Sequence, residues 1–432
     1  MSKKLLFGAG IPVVLILIAV FVLPRLLHFP PRLDPVPAAL TTQAVIPGIP
    51  GARYFVAIDL EPMVADALAA REREIAARVR DGESPVLPPA EMLALSGGGD
   101  KGAFGAGLLN GWTEQGTRPE FKVVTGVSTG ALIAPFAFLG PEYDNVLRSV
   151  YTEVSPPDIL EPRTFIAAIQ NDGMADNTPL WNLISRFVDA ALLERIAAEY
   201  NDGRLLLIGT TNLDSRQPVV WNMGAIAASG APQALELFRQ ILLASAAIPG
   251  AFPPTMIDVE VNGRRYQEMH VDGGASTQVF LYPPSIRRVA ASLGESMSRA
   301  GHVYVIRNAS ITPTWDPVER RTISIAGRAI DSLIATQGLG DLFRIYLTTQ
   351  QDGLDFNLAL IESDFVYEGK KEQFETAYMV ELYDYAFERA RRGYDWLKLP
   401  PGFEDGFNAD QDVDAPPPSA ADAPPASTAE VR

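Results

Sequence analysis

Two glycine-bracketed turns, each placed after an apolar run, constrain the fold of this chain more than any other feature. The first reads Ser96-Gly97-Gly98-Gly99-Asp100-Lys101-Gly102 and the second Gly126-Val127-Ser128-Thr129-Gly130, with a helix-like run from Ala103 to Gln115 between them. The resulting order of strand, turn, helix, strand, turn and helix is that of an α/β domain.

In the second turn a serine sits in Gly-x-Ser-x-Gly between the strand-like Phe121 to Thr125 and the helix-like Ala131 to Leu139. Gly126 and Gly130 permit a sharp bend that pushes the Ser128 hydroxyl to the tip of a sheet at a helix N-terminus, the arrangement of a nucleophile elbow. An ordinary turn with Ser128 capping the helix is the plainer reading of the same residues.

The first turn has two readings. Gly97, Gly99 and Gly102 satisfy the dinucleotide pattern Gly-x-Gly-x-x-Gly, which requires an acidic residue ending the next strand to hold a ribose hydroxyl. Glu120 is at about that spacing but precedes its strand, and that strand ends in the serine turn. The other use of Gly97, Gly98 and Gly99 is to present unhindered backbone N–H groups to a developing oxyanion, a service worth about 3 kcal/mol per donor. Lys101 would add positive potential there, or is a solvated surface lysine.

Composition sets outer limits. The 432 residues are 47% hydrophobic, enough for one large core, and 52 acidic against 36 basic residues give a net charge of -16, which argues against nucleic acid as a partner. There is no cysteine, so thiol catalysis and disulfides are excluded. Three histidines, His28, His270 and His302, are too few and too scattered for a zinc site, and nothing calls for a metal or cofactor.

Along the chain, Lys3 and Lys4 precede an apolar run from Leu5 to Pro24 that is long enough to cross a bilayer. No small-x-small cleavage site follows it, so residues 1–28 are expected to be an uncleaved signal anchor. Residues 29–51 carry prolines at 30, 31, 35, 37, 47 and 50 and are expected to be a linker. The catalytic domain is placed at 52–400, and the acidic, proline- and alanine-rich 401–432 is expected to be a disordered tail. Within the domain, Glu61 to Arg80, Thr178 to Phe187, Ala231 to Leu243, Arg328 to Tyr346 and Lys371 to Arg392 read as helices, with Asn177 as a cap. Arg204 to Thr210 and His302 to Ile306 read as strands. Thr255 to Glu260 and Arg264 to Val271 flank Asn262-Gly263 as a hairpin.

A serine nucleophile needs a group to take its proton, and Asp272 is the candidate. It ends the second hairpin strand, and Gly273 and Gly274 allow the backbone to approach a neighbouring turn. Four blocks now stand in order: Gly97 to Gly102, Gly126 to Gly130, Ala244-Ser245 to Pro254, and Asp272-Gly273-Gly274. Together they resemble the patatin-like phospholipases and lipid acyl hydrolases, over a motif core of residues 93–274. The resemblance implies a three-layer α/β/α domain with a central, mostly parallel sheet. It also implies a dyad of Ser128 as nucleophile and Asp272 as base, an oxyanion hole from Gly97, Gly98, Gly99, Lys101 and Gly102, and no metal or cofactor.

Two other readings compete. His302 follows Asp272, as a histidine would in an α/β-hydrolase triad, and would serve an esterase or thioesterase. His270 lies two residues from Asp272 on the same strand face and is close enough to touch it, or is simply packed. The third possibility is a catalytically silent, membrane-tethered lipid-binding protein. For the enzyme, membrane lipids are the expected substrate partner. The positive-inside bias of Lys3 and Lys4 places the domain on the periplasmic or extracytoplasmic side, against the pull of Arg25 and Arg32.

Overall fold

A computed structural model describes residues 31–403, apart from 165–166, 168–170, 311–316 and 370–371. The expected N-terminal anchor and nearly all of the expected acidic tail lie outside the described residues. Among the described residues no helix is long and apolar enough to cross a membrane.

The two glycine turns sit where the sequence places them. Strand β1 (Arg53–Phe55) and helix α1 (Leu60–Arg80) lead into β2 (Ala90–Leu95), and the first turn joins β2 to α2 (Gly102–Gln115). The second turn joins β3 (Val123–Val127) to α3 (Thr129–Leu139). Next come α4 (Asp144–Thr152), α5 (Pro156–Ile159), a small ribbon of β4 (Glu161–Pro162) with β5 (Ala175–Asp176), α6 (Thr178–Phe187) and α7 (Ala190–Asn201). The second half holds β6 (Leu205–Asn212), β7 (Gln217–Asn222), α8 (Met223–Ala228), α9 (Ala234–Ser245), β8 (Thr255–Val261) and β9 (Arg264–Asp272). It closes with α10 (Ile286–Ser292), β10 (Gly301–Ser310), α11 (Thr322–Asp352), β11 (Asp355–Ile361) and α12 (Thr376–Arg391).

The sheet is mixed, which corrects the expectation of a mostly parallel one. Strands β6, β3, β2, β10 and β11 are mutually parallel. Beyond β6 the order continues through β7 to β1, both pairings antiparallel, and the β8–β9 hairpin adds a further antiparallel arm. The parallel strands are buried on both faces: Leu93 and Leu95 of β2 enter one core while Met92 and Ala94 enter a second. Helices α2, α3 and α12 cover the first face, and Leu342 and Ile345 of α11 cover the other. This two-sided burial makes a parallel strand read as a continuous apolar run instead of an alternating one.

Local signals located the hairpin well. Asn262 and Gly263 both take positive φ, 52° and 77°, as a two-residue turn of the mirror-image type requires. The Asn177 cap is corrected: its side chain makes no capping bond, and Asp176 Oδ1 instead accepts from the Thr178 amide at 2.8 Å. In the stretch read as a linker, Val36, Ala44, Ile46 and Ile49 are buried in the main core, and Val45 bridges to Glu260 of β8.

Candidate active site

Ser128 adopts φ 56° and ψ -126°, a left-handed backbone that a serine rarely takes, and it is 6% exposed. The bend is possible because a Cβ on Gly126 would lie 2.5 Å from the Gly130 carbonyl oxygen. The side chain makes no cap hydrogen bond to the helix it introduces, so the capping reading fails.

Asp272 arrives through a change of partner along one strand edge. Strand β6 pairs with β3 as far as Gly209, which stands beside Val127; at the next residue, Thr210, the edge passes to β9 and its partner is Asp272. Ser128 turns out of the sheet at that junction, so the side chains of Ser128 and Asp272 meet across it. Ser128 Oγ donates to Asp272 Oδ2 at 2.6 Å, and Asp272 Oδ1 accepts the Gly274 amide at 2.7 Å. Asp272 is 5% exposed. Burial pushes its carboxyl up to about 6, against the hydrogen bonds from Ser128 and Gly274, which favour the charged form.

The glycine turn lies against this pair. An added Cβ on Gly97 would lie 3.2 Å from Ser128 Cβ, and one on Gly98 would come within 2.7 Å of Asn308 Cβ. The turn is held from two sides. Asn308, buried in β10, donates its amide to Ser96 Oγ and its Nδ2 to the Ser96 carbonyl, and accepts the Gly105 amide. Gln278 accepts the Gly97 amide at 3.1 Å and donates its Nε2 to the Gly274 carbonyl, tying the glycine turn to the aspartate turn.

These bonds narrow the expected oxyanion set. The amide of Gly97 is engaged by Gln278, that of Lys101 by the Gly98 carbonyl and that of Gly102 by the carbonyls of Gly99 and Asp100. Of the expected five, Gly98 and Gly99 are left as donors among the described residues. Lys101 is half-buried in the single 3-10 turn Gly99–Lys101 and makes no ion pair among the described residues. Gly273 and Gly274 open a matching short turn after Asp272.

A cavity of about 830 Å³, counting its open mouth, adjoins Ser128, Thr129 and Gly99. Its walls are almost wholly apolar, supplied by Leu132 and Phe136 of α3, Leu180, Leu183 and Phe187 of α6, and Leu242 of α9. Such a space next to a nucleophile excludes water and suits a hydrocarbon chain.

Neither histidine reaches the serine. His302 stands opposite Glu91 at the start of the parallel strands and meets Glu91 Oε1 at 2.8 Å, whereas Ser128 follows their far ends. Four residues of strand, about 13 Å, separate the His302 level from that of Ile306 and Gly126, which overturns the triad reading. His270 is packed: fully buried, it lies 3.0 Å from Thr210 Oγ1 and 3.1 Å from Glu268 Oε2, which is also paired with Arg53. Burial acts to raise the Glu268 carboxyl, yet bonds from His270 and Arg53 hold it down at about 2. Burial lowers His270.

Sequence reasoning placed Ser245 in a loop block but missed its role. Its hydroxyl accepts the Ser128 amide at 3.0 Å and donates to the Gly209 carbonyl at 2.7 Å, fixing the elbow to β6. Gln278, Asn308 and the buried Asp341, which accepts the Gln278 amide at 2.7 Å, were also missed. No spacing marks them, because each acts across a long sequence separation.

With that geometry in place, residues 93–282 match the family model described as patatin-like phospholipase. Over those residues the chain is similar to the patatin-like phospholipases. The match takes in the glycine turn, the elbow, Asp272 and Gln278, and ends before α10 of the patatin-like fold seen here. None of the curated proteins compared matches the chain. Among solved structures, the crystal structure of VipD from Legionella pneumophila is similar over 71% of this chain and 67% of that one, at 12% identity and a TM-score of 0.36. At that score the likeness carries no argument about the patatin-like domain's chemistry.

Proposed function

We propose that the domain is a membrane-associated serine acyl hydrolase that cleaves fatty-acyl esters of phospholipids or lysophospholipids through Ser128 and Asp272. The observation that carries this is the 2.6 Å hydrogen bond from Ser128 Oγ to Asp272 Oδ2, made at a strained elbow beside an apolar cavity. The family match supports lipid acyl hydrolysis as the reaction class.

In this reading Asp272 takes the hydroxyl proton as Ser128 Oγ attacks the ester carbonyl carbon, and the carbonyl oxygen becomes an oxyanion facing the amides of Gly98 and Gly99. Collapse breaks the bond to the leaving alkoxide, which takes the proton from Asp272. Water then attacks the acyl-serine with Asp272 again as base, releasing the fatty acid and restoring the hydroxyl. A carboxyl held near 6 suits both halves: it is ionised at neutral pH, yet a better proton acceptor than an ordinary aspartate. The acyl chain lies in the apolar cavity.

The test is covalent. A fluorophosphonate should label Ser128, Ser128→Ala should remove both label and hydrolysis with the fold intact, and analysis of products from mixed vesicles should show released fatty acid. An adduct mapped to another residue would sink the proposal.

A further inference from the structure

Helix α11 runs against the direction of the parallel strands, and the described residues of its first half are largely exposed. From Asp341 onward it is anchored: Asp341 accepts the amide of Gln278, Leu342 and Ile345 are buried, and Asp352 near its end accepts from Tyr282 and Arg287. The first anchored turn lies at the catalytic end, where Gln337 Nε2 donates to the carbonyl of Ser276, just past Asp272. Residues 322–336 therefore project beyond the strand ends that carry Ser128, by about 22 Å at helical rise.

One side of that projection is mainly apolar. Ile325, Ala329 and Leu333 recur every fourth residue with Ala326 and Ile330 beside them, Ser332 lies at the edge of the stripe next to Ile325, and Arg328 and Asp331 take the other side. Ile325, Ile330 and Leu333 are 53%, 48% and 69% exposed. Its tip is preceded by Arg320 and Arg321, the latter paired with Glu319 at 3.4 Å, so residues 319–333 carry three arginines against Glu319 and Asp331 in a chain of net charge -16.

The chain also enters the domain on this side. Arg32 forks onto Asp214 at 2.8 and 3.1 Å, in the loop after β6, five residues past the Gly209 that stands beside Val127. The N-terminal segment thus joins the domain at the same end as Ser128 and the projecting helix. From Pro24, where the bilayer-length apolar run ends, eight residues lead to Arg32, no more than about 28 Å of extended chain.

We infer that residues 322–336 are an interfacial helix that lies in the surface of a bilayer containing anionic phospholipid, with Ile325, Ile330 and Leu333 entering the acyl boundary. An exposed apolar stripe flanked by basic residues binds such surfaces, and here it brings the nucleophile to the membrane plane. The inference rests on the hydrolase reading only for its purpose.

The absence of cysteine allows a direct test on the full chain in vesicles of phosphatidylcholine and phosphatidylglycerol. Leu333→Cys carries an environment-sensitive fluorophore, and Val86→Cys, 74% exposed at the opposite end of the sheet, is the control. Both are made in Ser128→Ala protein, so docking is read without turnover. Nitroxide-bearing lipids should quench the label at 333 several-fold more than that at 86. Equal quenching at both sites, or a label at 333 left in water, overturns the inference. So does label-to-label contact between chains without quenching, which would assign the face to a second copy. In the active chain, Ile325→Glu with Ile330→Glu should lower the ratio of vesicle to soluble-ester turnover at least tenfold. Quenching at 333, together with failure of the chain that retains Ser128 to take fluorophosphonate, would refute the hydrolase reading alone.

Discussion

The Ser128 amide donates to Ser245 Oγ at 3.0 Å while the Ser128 hydroxyl donates to Asp272 Oδ2 at 2.6 Å, so the residue is held at both ends across separations of 117 and 144 residues. Ser245 passes that hold on to Gly209 of β6, the strand on which Asp272 is also registered. Ser128 and Asp272 are thereby referenced to one strand.

Ser245→Ala should therefore weaken both stability and turnover. A buried Ser128 amide would lose its acceptor, which costs about 1–3 kcal/mol, and a loosened elbow should lower kcat roughly tenfold or more. Urea unfolding and esterase kinetics on the same samples would check this; unchanged values would show the contact to be incidental.

Asp272 sets two pH dependences. Turnover requires its ionised form, so kcat/KM should rise with pH to half its plateau near the carboxyl's value of about 6. Stability should run the other way. A native value above the ordinary one of about 3.9 means that the folded chain holds a proton the unfolded chain has released between roughly pH 4 and 6. The contribution is present below about pH 4 and is lost as pH rises through 6. Asp272→Asn should thus be inactive yet more stable at pH 8, by up to about 3 kcal/mol, with no gain near pH 4. Denaturation midpoints of the two chains at both pH values decide it.

The histidines should separate cleanly. His302→Ala removes a partly exposed side chain and should change stability by less than about 0.5 kcal/mol and turnover not at all. His270→Ala leaves Thr210 and Glu268 short of a partner in the core and should cost about 2–4 kcal/mol, while the remaining folded protein keeps its turnover. A loss of turnover per folded molecule as deep as that of Asp272→Ala would restore the triad.

The cavity predicts selectivity. Leu183→Trp fills space beside α3 and should shift preference towards short acyl chains, because each methylene excluded from an apolar pocket is worth about 1–3 kcal/mol of discrimination. Comparing kcat/KM for butyryl and palmitoyl esters would measure the shift.

What the sequence by itself determined is whatever a few neighbouring residues settle. Gly126 and Gly130 dictate the bend at Ser128, Asn262-Gly263 dictates the β8–β9 turn, and the run of apolar residues at Met92 to Leu95 marks a strand buried on both faces. Backbone conformation of this kind is decided by local sterics, so it is legible before folding. The antiparallel pairing of β1 with β7 and of β7 with β6, and the attachment of the β8–β9 hairpin to β6, were not, since those strand partners are chosen by contacts remote in sequence. Only the tertiary structure decided that β6 passes its edge from β3 to β9 at Thr210, which brings Asp272 to Ser128 and leaves His302 at the other end of the sheet. It also decided the state of the base: a free aspartate stays charged well below pH 6, and burial alone moves Asp272 to where it can exchange a proton near neutrality.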